Sequence, residues 1–243
     1  MFTLLKKELN SFFSSLTGYI VVIVFLLFNS LFMWVFKGQF NVLDSGYSNI
    51  ETIFVIAPWL FLFLVPAICM GLFANEKKTG TIELLFTFPL TDLEIILAKY
   101  FAGLLLVLFS ILPTLIYFYS IYSLGNPVGN IDTGGTFGSY IGLFFLSAIY
   151  VAIGIFASSL TKNQIVAFIF GIFLCFFFFI GFESMSELYF LKDIENIIIN
   201  LGINEHYNSI SRGVVDSRDI IYFISVIMIF IFLTKTSLES RKW

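Results

Sequence analysis

Charge is scarce in this sequence. Only 12% of its 243 residues are Asp, Glu, Lys or Arg, against roughly a quarter in a soluble domain. With 59% hydrophobic residues and a mean hydropathy of +0.98, the chain reads as a membrane protein before any motif is considered. The single histidine, His206, excludes a multi-histidine metal site. The two cysteines, Cys69 and Cys175, both sit in apolar runs and read as buried thiols rather than a disulfide framework or metal site. No Gly-x-x-x-x-Gly-Lys-Ser/Thr loop occurs, so any ATP that drives this protein is bound and hydrolysed on another chain. No Ser/His/Asp or Cys/His set can be assembled, and the expectation is no enzyme chemistry and no cofactor in this polypeptide. The centres of the apolar runs hold no ionisable residue, which disfavours an ion-coupled carrier. A cleavable signal peptide is not expected, because the first apolar run is too long and no small-residue cleavage site follows it.

What is present is six long apolar runs, at approximately 18–36, 52–74, 100–122, 137–160, 164–182 and 220–236. They predict an all-α membrane protein with six transmembrane helices in one domain, 1–243. Before the first run, Leu4, Leu5, Leu9, Phe12, Phe13 and Leu16 fall on one helical side, with Lys6, Lys7, Glu8 and Asn10 opposite. That pattern predicts an amphipathic helix on the membrane surface. Pro58 and Pro66 should kink the second run and Pro113 the third. Pro58 and Pro66 either open room for a cavity or serve packing. Gly138, Gly142 and Gly154 suit close helix approach in the fourth run. Thr161-Lys162-Asn163 is a tight turn that sets the fifth run antiparallel to it.

Orientation follows from basic residues. With the N-terminus inside, Lys6, Lys7, Lys77, Lys78, Lys99, Lys162, Lys235, Arg241 and Lys242 are inside, against Lys37, Lys192, Arg212 and Arg218 outside. Both termini are therefore expected in the cytosol, together with the segment from Asn75 to Lys99.

That segment is the longest charged interruption in the first 180 residues. Gly80 or Thr79 can cap a short helix, with Glu83 near its positive end. Ile82, Leu85 and Phe86 then form an apolar ridge, and Pro89 ends the helix. Thr91-Asp92-Leu93-Glu94 has capping-box spacing and should start a second helix running through Lys99 into the third span. A short helix with an exposed apolar ridge is shaped as a plug for a partner's socket; the alternative is an ordinary polar loop.

The order Glu76, Gly80-Thr81, Glu83-Leu84-Leu85, Pro89 and Lys99 resembles the signature of type-2 ABC transporter permeases. Relatives often carry Arg near Lys77-Lys78 and Gly-Lys in place of Ala98-Lys99. The resemblance implies that this segment is a cytosolic coupling helix docking on a separate ATP-binding subunit. Its contact residues would be Glu76, Gly80, Thr81, Ile82, Glu83, Leu85, Phe86 and Pro89, with Glu76 and Glu83 facing basic groups on that partner. Glu94 and Lys99 would pass movement to the third span.

Between the fifth and sixth runs, Ile194, Ile197, Ile198 and Leu201 make a short amphipathic helix, with Asp193, Glu195, Asn196 and Asn200 on other faces. The run from His206 through Arg212, Gly213, Asp216, Arg218 and Asp219 follows. Together these predict an extracytoplasmic amphipathic hairpin. His206 reads as a loop histidine bonded locally, the alternatives being a pH sensor or a ligand. Arg212, Asp216, Arg218 and Asp219 are expected to pair with one another. This run is similar to the gliding-motility-associated (GldF-like) permeases, and also to permeases of copper-enzyme maturation. That likeness implies a bacterial inner-membrane exporter linked to gliding, with a GldA-like ATP-binding subunit. Its second permease subunit would be GldG-like, or the chain would pair with itself as a dimer. From a different class, a non-transporting scaffold of a motility or secretion machine would carry the same ATPase work to an extracytoplasmic partner.

Overall fold

The computed structural model describes residues 1–188, 192, 194–213 and 215–240. Asp193, Arg241 and Lys242, which entered the sequence reading, lie outside the described residues. Helices dominate, and no strand occurs among the described residues. Six of the described helical stretches are long and apolar enough to cross a membrane.

The chain opens with α1 (Phe2–Ser14), turns at Ser15, and enters α2 (Leu16–Ser30), which ends in a π segment, Leu31–Val35. A one-turn helix, α3 (Val42–Ser45), precedes the long α4 (Glu51–Thr79). Short α5 (Ile82–Thr87) leads to α6 (Asp92–Ile111), a 3-10 turn at Leu112–Thr114 and α7 (Leu115–Leu124). Then come α8 (Thr133–Leu160), α9 (Gln164–Phe176), a π segment at Phe177–Gly181 and α10 (Phe182–Ser186). Short α11 (Glu195–Ile199) and α12 (Ile203–Ser211) precede the last long helix, α13 (Ser217–Glu239).

Local chemistry explains the starts of four of the long helices. Thr91 and Glu94 form a complete capping box at α6. Asp132 accepts from the Gly135 amide at 2.9 Å and starts α8 four residues before the apolar run does. Asn163 caps α9 and Asp216 caps α13 in the same way. Pro113 sits where the third span changes from α6 to the 3-10 turn, as its missing amide requires. Pro58 and Pro66, in contrast, lie inside an uninterrupted α4. The last span, expected at 220–236, begins at Ser217 and extends to Glu239.

α8 is the most buried of the long helices, packed against α4, α6, α9, α12 and α13. The three glycines singled out in its sequence all lie at close contacts. A Cβ on Gly154 would come within 2.7 Å of the Cys69 Cβ, one on Gly142 within 3.3 Å of Ile210, and one on Gly138 within 2.7 Å of the Gly213 backbone. α2, α9 and α13 keep most of their apolar surface exposed.

The helices run between two ends of different character. The terminal end gathers α1, the α4–α6 connection, the α8–α9 turn and the end of α13. The distal end gathers α3, the starts of α4, α8 and α13, and helices α10 to α12.

Candidate coupling site and the two ends of the bundle

α5 is present where the sequence places a short helix, but its ridge faces the other way. Leu85 is only 9% exposed and belongs to the core, and Ile82 and Phe86 pack against that core. The ridge is thus not an exposed plug. It is the seam that fastens α5 to its own bundle, because a two-turn helix holds no fixed pose without burying its apolar side. The outward residues are Leu84, 62% exposed, and Phe88, 58% exposed, flanked by exposed Thr81, Glu83, Thr87 and Pro89. Gly80 does not cap α5. It ends α4 with a left-handed φ of 75°, a conformation glycine adopts without strain. Thr81 precedes α5 without a side-chain capping bond, and its hydroxyl lies 2.9 Å from that of Thr79. Phe88 is extended before Pro89, which ends the helix as expected.

A buried charge cluster joins α1, α4 and α6, the last two being the helices that α5 connects. Lys99 is fully buried. Its ammonium donates to Glu8 Oε1 at 2.9 Å and to the Leu72 carbonyl at 2.7 Å, and stands 2.9 Å from Glu76 Oε2. The Phe73 ring centroid is 5.1 Å away. Lys7, at the rim, lies 3.4 Å from Glu76 and 3.6 Å from Glu8. Two carboxylates thus meet two ammonium groups, and the cluster is balanced. A buried ion is tolerated only when paired and hydrogen-bonded, which explains why α1, α4 and α6 converge here. Glu8 was expected on the solvent face of α1; it is buried instead. Glu76 was expected to face the ATPase; it turns inward to Lys99.

Other polar contacts brace the same end. Ser158 of α8 reaches into the hydrogen-bond ladder of α4. Its hydroxyl accepts from the Phe73 and Ala74 amides at 3.0 and 3.1 Å and donates to the Met70 carbonyl at 2.9 Å. The Lys77 ammonium and the Ser237 hydroxyl both donate to the Ser159 carbonyl. Four of the long helices and α1 are not merely packed at this end; α1, α4, α6, α8 and α13 are joined there by polar side chains. Sequence reading missed Glu8 and Ser158. The signal for Glu8 was Lys99 itself, a cation at the edge of an apolar run that needs a counter-ion once buried.

The distal end is open. A cavity of about 980 Å³ lies between the start of α4, the start of α8, α10 and α12. Its floor includes Phe54, Pro58, Trp59 and Phe179. Pro58 therefore borders the cavity, while Pro66 packs against Gly171, so the two prolines take one role each. α12 lies along this cavity. Tyr207 donates to the Phe54 carbonyl at 2.7 Å, Asn204 to Glu183 at 2.9 Å, and the Ser211 carbonyl accepts from Ser139 at 2.8 Å. Burial pushes the Tyr207 phenol far above its ordinary range, so it stays a donor at any working pH.

The charged residues of this region do not pair as expected. Asp219 is buried and meets His206, with Oδ1 2.7 Å from Nδ1. Asp216 caps α13 through the Arg218 amide. Arg212 and Arg218 form no ion pair among the described residues. Gly213, with φ of 87°, fits against Gly135 and Gly138 at the head of α8. The predicted Ile194–Leu201 helix is shorter, α11, with Ile198 buried and Ile194, Ile197 and Leu201 exposed. Among the described residues no group of three or more His, Cys, Asp and Glu side chains is arranged to hold a metal ion.

Residues 45–204 match the family model of the ABC-2 family transporter protein. The chain belongs to that family. The matched stretch runs from the loop before α4 into α12, and so includes α5, Glu76, Lys99 and most of the cavity wall. The ABC-2 membership and the six apolar helices make this a multi-pass membrane protein, the permease subunit of an ABC transporter. No curated protein matches the chain.

Proposed function

We propose that this permease is driven by a separate ATP-binding subunit that docks on the outward face of α5, from the cytosol, in a bacterial inner membrane. One observation carries the reading. α5 buries Leu85 in its own bundle and presents Leu84 and Phe88 outward, and it follows directly on α4, the helix that carries Glu76 of the Lys99–Glu8–Glu76 cluster. A docked partner would push on a helix that is packed on α4 and seated on the core. The buried ion pairs and Ser158 would pass that movement to α1 and α8 as one body. Exposed Glu83 would meet a basic group on the ATPase. Charge distribution supports the cytosolic placement, since the terminal end is rich in Lys. ATP would be bound by the partner, a reading supported by the lack of a Gly-x-x-x-x-Gly-Lys-Ser/Thr loop in this sequence.

Export is the favoured direction, with a second permease subunit, GldG-like or a second copy of this chain, completing the pathway. The gliding-motility link rests on the likeness of the His206 to Asp219 run. The test is a pull-down of tagged protein in mild detergent, with ATPase activity assayed on the eluate. Wild type should retain an ATP-binding subunit, and Leu84→Asp with Phe88→Asp should lose it while keeping the wild-type melting temperature. Absence of any ATPase under all conditions would defeat the reading. The exposed apolar residues Ile194, Ile197 and Leu201 favour one second reading, a scaffold that hands ATPase work to an extracytoplasmic partner. Deleting 194–201 would then abolish partner binding and leave ATPase retention intact.

A further inference from the structure

Helix α12 is held to α13 by a contact that requires a proton. His206 Nε2 lies 2.9 Å from the Asn200 carbonyl, and Nδ1 lies 2.7 Å from Asp219 Oδ1. A carbonyl oxygen can only accept, so Nε2 carries a hydrogen. The second ring nitrogen faces a carboxylate oxygen at hydrogen-bond distance, so another proton lies between them. Asp219 Oδ2 is already engaged, accepting from Ser209 at 2.7 Å. The His206 ring also stacks on Tyr222, with centroids 3.8 Å apart, and the Tyr222 hydroxyl donates to the Leu201 carbonyl at 2.6 Å. A cationic imidazole is favoured over that aromatic face.

We infer that the His206–Asp219 pair is a proton-dependent latch holding α12, the helix that lies along the distal cavity, against α13. With the proton bound, both ring nitrogens meet acceptors. Once it leaves, a neutral imidazole has one N–H for two acceptor oxygens. Either Nδ1 opposes the carboxylate or Nε2 opposes the Asn200 carbonyl, lone pair against lone pair. One contact must open. The latch is therefore complete while the proton is bound and opens when the proton is lost. The consequence reaches the cavity, because Asn204, Tyr207, Asn208 and Ser211 of the same helix line it.

The neighbouring charges leave the pair to itself. Glu205 on α12, Glu195 on α11, Glu183 on α10, Asp132 at the head of α8, and Asp216 and Arg218 at the head of α13 form no ion pair with His206 among the described residues. The π segment packed on α12 carries no charge. Tyr207 points to α4 and stays a neutral donor.

The experiment is hydrogen exchange, read by mass spectrometry, of peptides covering 201–211 in nanodisc-reconstituted protein at pH 5.5 and 8.5. Rates are divided by the intrinsic chemical rate at each pH. Wild type should lose about tenfold in protection at the higher pH, the scale of one charge-assisted hydrogen bond. His206→Ala should be poorly protected at both. Asp219→Asn should be well protected at both, because its amide donates to Nδ1 of a neutral imidazole and its oxygen still accepts from Ser209. Unchanged wild-type protection, or an Asp219→Asn variant that keeps the wild-type drop, would overturn the latch. No transport or ATPase reading enters this measurement, so it stands apart from the proposed coupling role.

Discussion

The two ends of this bundle solve the same problem with opposite means. At the terminal end, polar groups are buried and shared between helices. Lys99, Glu8, Glu76 and Ser158 each touch an element other than their own, and movement of one helix there costs the contacts of the others. At the distal end the polar groups line or roof an open cavity, and α12 is tied to α4, α8, α10 and α13 by single hydrogen bonds or one latch. A membrane protein that must transmit force at one end and change shape at the other has use for both. Buried ion pairs add little net stability over apolar packing, but removing one partner is costly. They are suited to fixing a geometry rather than to holding the fold.

The comparison is most easily broken at Lys99. Lys99→Met should destabilise the protein by about 3–5 kcal/mol, because Glu8 and Glu76 lose their buried cation and keep only Lys7 at the rim. A melting temperature in detergent far below wild type is the expected readout. Adding Glu8→Gln and Glu76→Gln to Lys99→Met should recover most of the loss, and no recovery would mean the cluster is not the cause. Ser158→Ala comes next, at about 1–3 kcal/mol, through the α4 backbone groups it leaves without that partner. At the distal end the effects should be smaller. Tyr207→Phe removes one neutral hydrogen bond, worth about 0.5–1.5 kcal/mol, and its cost should not vary between pH 6 and 9, since burial keeps the phenol protonated. Asp216→Ala should cost about 1 kcal/mol through the lost α13 cap. A distal substitution that matched Lys99→Met in cost would erase the distinction between the ends.

The six spans, the α5 helix and the Thr91–Glu94 capping box were legible because each is written in local sequence. Apolar run length, a proline stop and a four-residue motif need no knowledge of the rest of the chain. The direction of the α5 ridge was not legible. Spacing shows that Ile82, Leu85 and Phe86 share a face, but whether that face meets a partner or the same bundle depends on residues far along the chain. Glu8 was misplaced for a similar reason. Helical periodicity put it opposite the leucines, while the buried Lys99, 91 residues away, drew it inward. The Ser158 contact with α4 carries no local signature at all. His206 and Asp219 were both singled out, yet their pairing required α12 to fold back on α13.

The most direct test of the coupling account is cysteine cross-linking between α5 and the ATP-binding subunit in membranes. Cys69 and Cys175 are fully buried, so the native background is low. Leu84→Cys and Phe88→Cys should each give a cross-linked product with the ATPase, and Leu85→Cys should give none. Capture through Leu85→Cys, with Leu84→Cys and Phe88→Cys silent, would mean that the buried ridge is the docking face and would contradict the account.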